Sequence, residues 1–142
     1  MRQNLTLVTL GVNDLAVSRR FYVDGLGFRP SSGGNEHICF FSMNGVVLSL
    51  YGRASLAEDA HLPAEGSGFR GFTLAINMGS RAEVDEALAR AERAGARILK
   101  PAQEVFWGGY SGYFADPDGN AWEIAHNPFW ALDDAGRVVL PD

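Results

Sequence analysis

The chain has 142 residues, 46% of them hydrophobic and 20% charged, which suits one globular domain or two small halves sharing a core. The formal net charge is −5, and the twelve basic residues are scattered, which argues against a nucleic-acid surface. No apolar run is long enough to span a bilayer, and "LTLVTLGV" passes straight into polar "NDL" without the form of a signal peptide, so a cytoplasmic location without membrane association is expected.

Residues 5–12, "LTLVTLGV", are rich in β-formers and predict a strand. Asp14 is the expected N-cap of a helix over "LAVSRRFYVDG", stopped by the glycines of "GLGF". Arg19 and Arg20 read as solvated, and Phe21 and Tyr22 as packing. Strands follow weakly from Phe28, then over "HICFFSM" and "VVLSLY", with Asn44-Gly45 as a hairpin turn between the last two. Cys39, the single cysteine, reads as a small buried hydrophobe. The first module, residues 5–52, is thus β-α-β-β-β.

Residues 53–69 are polar and Gly/Pro-bearing and read as a connector, with one short helix at "SLAEDA". A strand "GFTLAINM" opens the second module, residues 70–127. Ser80 and Glu83 form a capping box, and the helix "RAEVDEALARAERAG" presents Val84, Leu88 and Ala91 on one face, with Gly95 as its C-cap. A strand "ARILKP" is expected to end at Pro101. Another lies in "QEVFWGGYSGYFA", "DPDG" is a turn, and "NAWEIAHN" is the last strand. Residues 128–142 are a tail. Phe129, Trp130 and Leu132 could dock there, and "DDAGRVV" could form a small hairpin.

The modules align with each other: Val12 matches Met78 at an offset of 66, and Asn44-Gly45 matches Asp118-Gly119 at an offset of 74. Such a repeat points to duplication and a pseudo-twofold unit.

A strand ending in V-x-D-L, a helix holding "SRRFY", then "GLGF", with "FADPDGNAWEI" in the second half and "NGVVLSL" as its first-half counterpart, resembles the glyoxalase/bleomycin resistance protein/extradiol dioxygenase (vicinal oxygen chelate) superfamily. The resemblance spans roughly residues 5–127. It implies an α+β fold, a single glyoxalase-like domain of two tandem β-α-β-β-β modules forming an open, cup-shaped mixed sheet. It also implies a small molecule bound on the inner face and homodimers. Many members hold a divalent metal there, on histidines and glutamates of the first and last strands of each module.

Carried over residue by residue, those four positions are Leu7, Ser49, Thr73 and Glu123. Only Glu123 is a competent transition-metal ligand. His126 alternates to the other face of its strand from Glu123, His61 lies in the connector, and His37 reads as an edge residue. The expectation is therefore that no catalytic metal or other cofactor is bound. Glu123 then has a hydrogen-bond network around it, or serves as a ligand partner or general base. The candidates sharing its face are Ser49, Tyr51, Thr73, Asn77 and Asn127. In "FWGGYSGYF", Trp107 and Tyr110 could close over a ligand on a flexible glycine loop, while Phe114 and Trp122 read as core.

Two functions compete, ahead of a third, a partner-binding or regulatory module in which the cup is closed. One is a metal-free small-molecule-binding protein, like the drug-sequestering members of the superfamily. The other is an enzyme of the glyoxalase type (lyase, isomerase or dioxygenase), either metal-dependent or using Glu123 as general base.

Overall fold

A computed structural model describes residues 3–140. The chain divides at the end of the expected connector into two compact units, Met1–Gly68 and Phe69–Asp142.

In the first unit, strand β1 (Leu7–Val12) leads into helix α1 (Leu15–Arg20). Asp14 caps α1 as its sequence predicts, its side chain accepting from the Val17 N–H at 3.1 Å. The helix then widens into a π-helical turn over Phe21–Gly25, where the Leu26 N–H reaches the Phe21 carbonyl at 2.9 Å. Strands β2 (Ile38–Ser42) and β3 (Val47–Gly52) follow, and the sheet order is β1-β3-β2, with β1 and β3 parallel. Asn44 and Gly45 have φ of 58° and 113°, the left-handed pair that a tight hairpin requires. The strand expected from Phe28 is reduced to one bridge between Pro30 and Phe41, because Pro30 has no N–H to extend a ladder. The first module is therefore β-α-β-β. Leu10, Val12, Cys39, Phe41, Leu48 and Leu50 alternate onto one face of the sheet and are buried together with Phe21 and Tyr22. Helix α2 (Arg53–Asp59) fills the expected connector position, and Arg53 ties the connector down by donating to the Ala64 carbonyl at 2.7 Å.

In the second unit, β4 (Leu74–Asn77), α3 (Arg81–Arg93), β5 (Arg97–Glu104), β6 (Tyr110–Ala115) and β7 (Ala121–His126) give the full β-α-β-β-β pattern. The order is β4-β7-β6-β5. Ser80 Oγ accepts from the Glu83 N–H at 3.2 Å, while Glu83 reaches back to the Gly79 N–H at 2.7 Å, one residue earlier than the usual reciprocal bond. Val84, Leu88 and Ala91 are buried. Strand β5 runs through Pro101 instead of ending there. It is an edge strand with register shifts on both sides of Lys100, where a missing N–H is tolerated.

Helix α3 packs on β5, β6 and β7. A Cβ on Gly112 would come within 2.6 Å of Leu88 Cδ1 and 2.8 Å of the Lys100 carbonyl, so this glycine serves close helix–sheet packing rather than loop freedom. Phe114 and Trp122, cross-strand neighbours, stack at 6.2 Å with their planes 6° apart and are buried on that same side. The tail forms the expected hairpin, β8 (Ala131–Leu132) with β9 (Val138–Val139), closed by Asp133 accepting from the Ala135 and Arg137 amides. The backbone hydrogen bond from Arg137, with burial opposing it and the Arg137 side chain adding to it, holds the Asp133 carboxyl below its usual range.

Candidate functional site

Glu123 lies at the centre of β7, on the face turned away from α3, and is half-buried. The hairpin through Asp116–Asn120 sets its surroundings. Residues equidistant from Asp118 pair across it, so Tyr113 stands directly opposite Glu123. The Tyr113 phenol is pushed above its usual 10.0, by burial first, then by the Glu123 charge and a hydrogen bond to that carboxylate. Lys100, the only lysine in the chain, is the register partner of Tyr113 on its other side, and Ala75 that of Glu123. Ala75, Glu123, Tyr113 and Lys100 thus form a row across the sheet.

The turn beneath this row is heavily braced. Asp116, 5% exposed, accepts from the Asp118 and Asn120 amides at 2.9 and 2.8 Å and from the Asn120 side chain at 2.8 Å. Arg70 clamps the turn from outside, donating to Asn120 Oδ1 at 2.8 Å and to the Asp118 carbonyl at 3.0 Å.

The other expected site residues fall in different places. In the first unit, Ser49 is fully buried, and its hydroxyl is 2.6 Å from that of Thr9, its direct neighbour on β1. Tyr51 is half-buried near the end of β3, and Leu7 is 41% exposed. In the second unit, Asn77 sits opposite Ala125 at the end of β4, and Thr73 is exposed just before that strand. Asn127 accepts from the Phe129 amide at 2.9 Å and so shapes the start of the tail.

The side chains of the aromatic loop have packing and hydrogen-bond partners within the second unit. Tyr110 donates to Asp85 of α3 at 2.8 Å and has Arg81 over its ring at 5.3 Å, which holds it on the face opposite Glu123. The Trp107 ring lies over the Cα of Gly109, where any side chain would collide with it. A two-bond turn links Val105 with Gly108 and Gly109 at 2.9 and 3.0 Å. The loop glycines thus admit close packing around Trp107 and Phe129. Of the histidines, His126 contacts the Met78 carbonyl through Nδ1 at 3.1 Å, and His37 and His61 are exposed.

Sequence reasoning missed Tyr113 and Thr9. The signal was there for Tyr113: counting outward from the "DPDG" turn pairs it with Glu123. Thr9 needed the parallel β1–β3 register, which no turn fixes.

A sequence profile described as the Glyoxalase/Bleomycin resistance protein/Dioxygenase superfamily matches residues 4–124. The chain belongs to this superfamily. A glyoxalase-related enzyme from Fulvimarina pelagi is 38% identical, with 99% of this chain and 100% of that chain covered at a TM-score of 0.89. A superfamily protein from Nocardioides is 29% identical over 89% of this chain and 84% of that one, at a TM-score of 0.72. A lactoylglutathione lyase from Agrobacterium tumefaciens shares the fold at 24% identity, covering 94% of this chain and 100% of that one, at a TM-score of 0.69. A comparison with curated proteins gives no significant match.

The positions at which the resemblance implies metal ligands, Leu7, Ser49, Thr73 and Glu123, carry side chains whose chemistry, taken as a set, does not fit a metal. Leucine cannot coordinate, and neutral hydroxyls are weak ligands for zinc, iron or manganese. Among the described residues, no group of three or more His, Cys, Asp or Glu side chains comes together.

A pH effect follows from Tyr113. Its raised folded value means the native state holds the phenolic proton more tightly than the unfolded chain. That stabilisation is complete below the unfolded value of 10.0 and is lost as pH rises through the folded one. Urea unfolding from about pH 8 to about pH 11 is expected to show stability falling at the alkaline end, and less steeply in Tyr113→Phe. Tyr110, raised chiefly by its hydrogen bond to Asp85, and Cys39, raised by burial, contribute to the decline that remains.

Proposed function

We propose that this superfamily member binds a small organic molecule without a catalytic metal, with the Glu123–Tyr113 pair as its polar anchor. The observation that carries this reading is the pair itself. A half-buried carboxylate has a phenol donor as its cross-strand partner, and among the described residues no group of three or more His, Cys, Asp or Glu side chains is placed to hold a metal. A carboxylate so placed attracts a cationic group or accepts a hydrogen bond, and the adjoining phenol fixes the orientation of whatever binds. The other proposed contacts within this unit are Thr73, Asn77, Trp107 and Asn127, drawn from the sequence pattern; of the first-unit candidates, Tyr51 is half-buried and Ser49 is enclosed against Thr9. Tyr110 belongs with them less well, since it is engaged by Asp85.

A second reading, an enzyme without metal, is favoured by one feature. Tyr113 keeps its proton at neutral pH beside an acceptor, so Glu123 as general base and Tyr113 as acid would be an acid–base pair. Pairing as a homodimer is part of the proposal, supported by exposed Phe72, Phe106 and Phe129 in the second unit. Among the described residues, no helix is long and apolar enough to cross a membrane.

The test is metal loading. Dialysis against zinc, manganese, nickel or iron(II) and then elemental analysis should leave far less than one equivalent per chain, in the wild type and in Glu123→Gln alike. One tightly held equivalent that Glu123→Gln loses overturns the proposal. In a thermal-shift screen of small cationic and planar compounds, hits should lose their stabilisation in Glu123→Gln. Turnover of a hit compound by metal-free protein, abolished in Glu123→Gln, would decide for the enzyme.

A further inference from the structure

The first unit carries a depression of about 210 Å³ on the α1 side of its sheet, lined by Arg19, Ser31, Ser32, Gly34, Asn35 and Cys39. The loop that walls it is fixed at both ends. The Ser31 N–H bonds the Phe40 carbonyl at 2.8 Å, and the Asn35 N–H bonds the Ile38 carbonyl at 2.9 Å. Gly34 is packed so closely that a Cβ there would sit 2.7 Å from the Ile38 carbonyl.

The polar groups around the depression are left as donors. Asn35 Oδ1 is occupied by the His37 and Ile38 amides at 2.7 and 3.2 Å, which leaves its NH₂ to donate. Ser31 Oγ accepts from the Gly33 amide at 3.1 Å, which leaves its O–H. The Arg19 side chain makes no hydrogen bond or ion pair among the described residues, and its charge is felt at Cys39. Burial pushes the Cys39 thiol up, against the pull of Arg19, so it stays S–H. No carboxylate lines the space, and the nearest acid in the loop, Glu36, faces His37 at 3.4 Å.

We propose that this depression binds a small oxyanion, a phosphoryl or carboxylate group, with the Arg19 guanidinium as the charged partner and Ser31 and Asn35 as neutral donors. One cation and several donors with no competing acid match an anion and repel a cation. The volume lies below the roughly 300 Å³ at which drug-sized ligand pockets begin, so the group bound is small or is the end of a longer molecule.

The test uses the full chain labelled with nitrogen-15, titrated at constant ionic strength with inorganic phosphate and, separately, with acetate. Saturable shifts of the residue 31–39 amides are expected with at least one anion. Saturation by phosphate alone assigns a phosphoryl group, and by acetate alone a carboxylate. Arg19→Gln should weaken binding by at least about tenfold. Should that variant not fold, Arg19→Lys makes the same test, since it keeps the charge and loses the two-pronged donor. No saturable shift with either anion, or undiminished binding in the folded variant, overturns the site.

Discussion

Asp116→Ala should cost the second unit about 3 kcal/mol and loosen Tyr113 from Glu123. The aspartate is almost fully buried, and three N–H groups depend on it: the Asp118 and Asn120 amides and the Asn120 side chain. Removing the acceptor leaves buried donors unsatisfied, at about 1–3 kcal/mol each, and those nearest solvent recover part of that from water. The turn also sets the β6–β7 register, so its loss should bring the tyrosine alkaline titration back toward normal for one residue. Urea unfolding and absorbance titration measure the two effects. Asp116→Asn keeps one acceptor oxygen and should recover part of the loss. A loss below about 1 kcal/mol for the alanine variant would mean the turn holds itself together without the carboxylate.

Tyr22→Ala should cost about 3–5 kcal/mol in the first unit. Tyr22 is 0% exposed and sits in the π-helical turn. Its ring meets Phe21 edge-on at 5.1 Å, Phe28 at 5.7 Å and Phe41 at 6.0 Å. These rings join the end of α1 to β2, so the truncation leaves a void that no single neighbour can fill. Tyr22→Phe keeps the packing and should stay within about 1.5 kcal/mol of the wild type. Denaturant midpoints distinguish the two, and an alanine variant as stable as the phenylalanine variant would show that the cluster repacks.

Much of the fold was legible because its signals are local. Asp14, Ser80, Asn44-Gly45 and the glycines after each helix act within a few residues of themselves, and each appears where the sequence puts it. The duplication was legible too. Applied to the register, the offsets of 66 and 74 map the pair Thr9 and Ser49 onto Ala75 and Glu123, and both pairs are direct neighbours across parallel strands. Pairing itself was less legible. Alternation tells which face a residue takes but not which residue stands beside it. For that reason the partners proposed for Glu123 did not include Tyr113. Composition also misled at the glycines: Gly109 and Gly112 read as loop freedom, but each is a place where a ring or a helix comes too close for a side chain.

The Thr9–Ser49 contact also bears on how readily the first unit could accept a charged group. One backbone frame occurs twice, with a carboxylate in one copy and two hydroxyls bonded at 2.6 Å in the other. Ser49 has no exposure at all, so Ser49→Glu would break that bond and enclose a charge whose desolvation costs several kcal/mol. The hydroxyl pair therefore acts as a lock on the copy. Engineering an acid into the first unit would have to begin at Thr9, opening room and supplying a counter-charge before a carboxylate could be accepted at position 49.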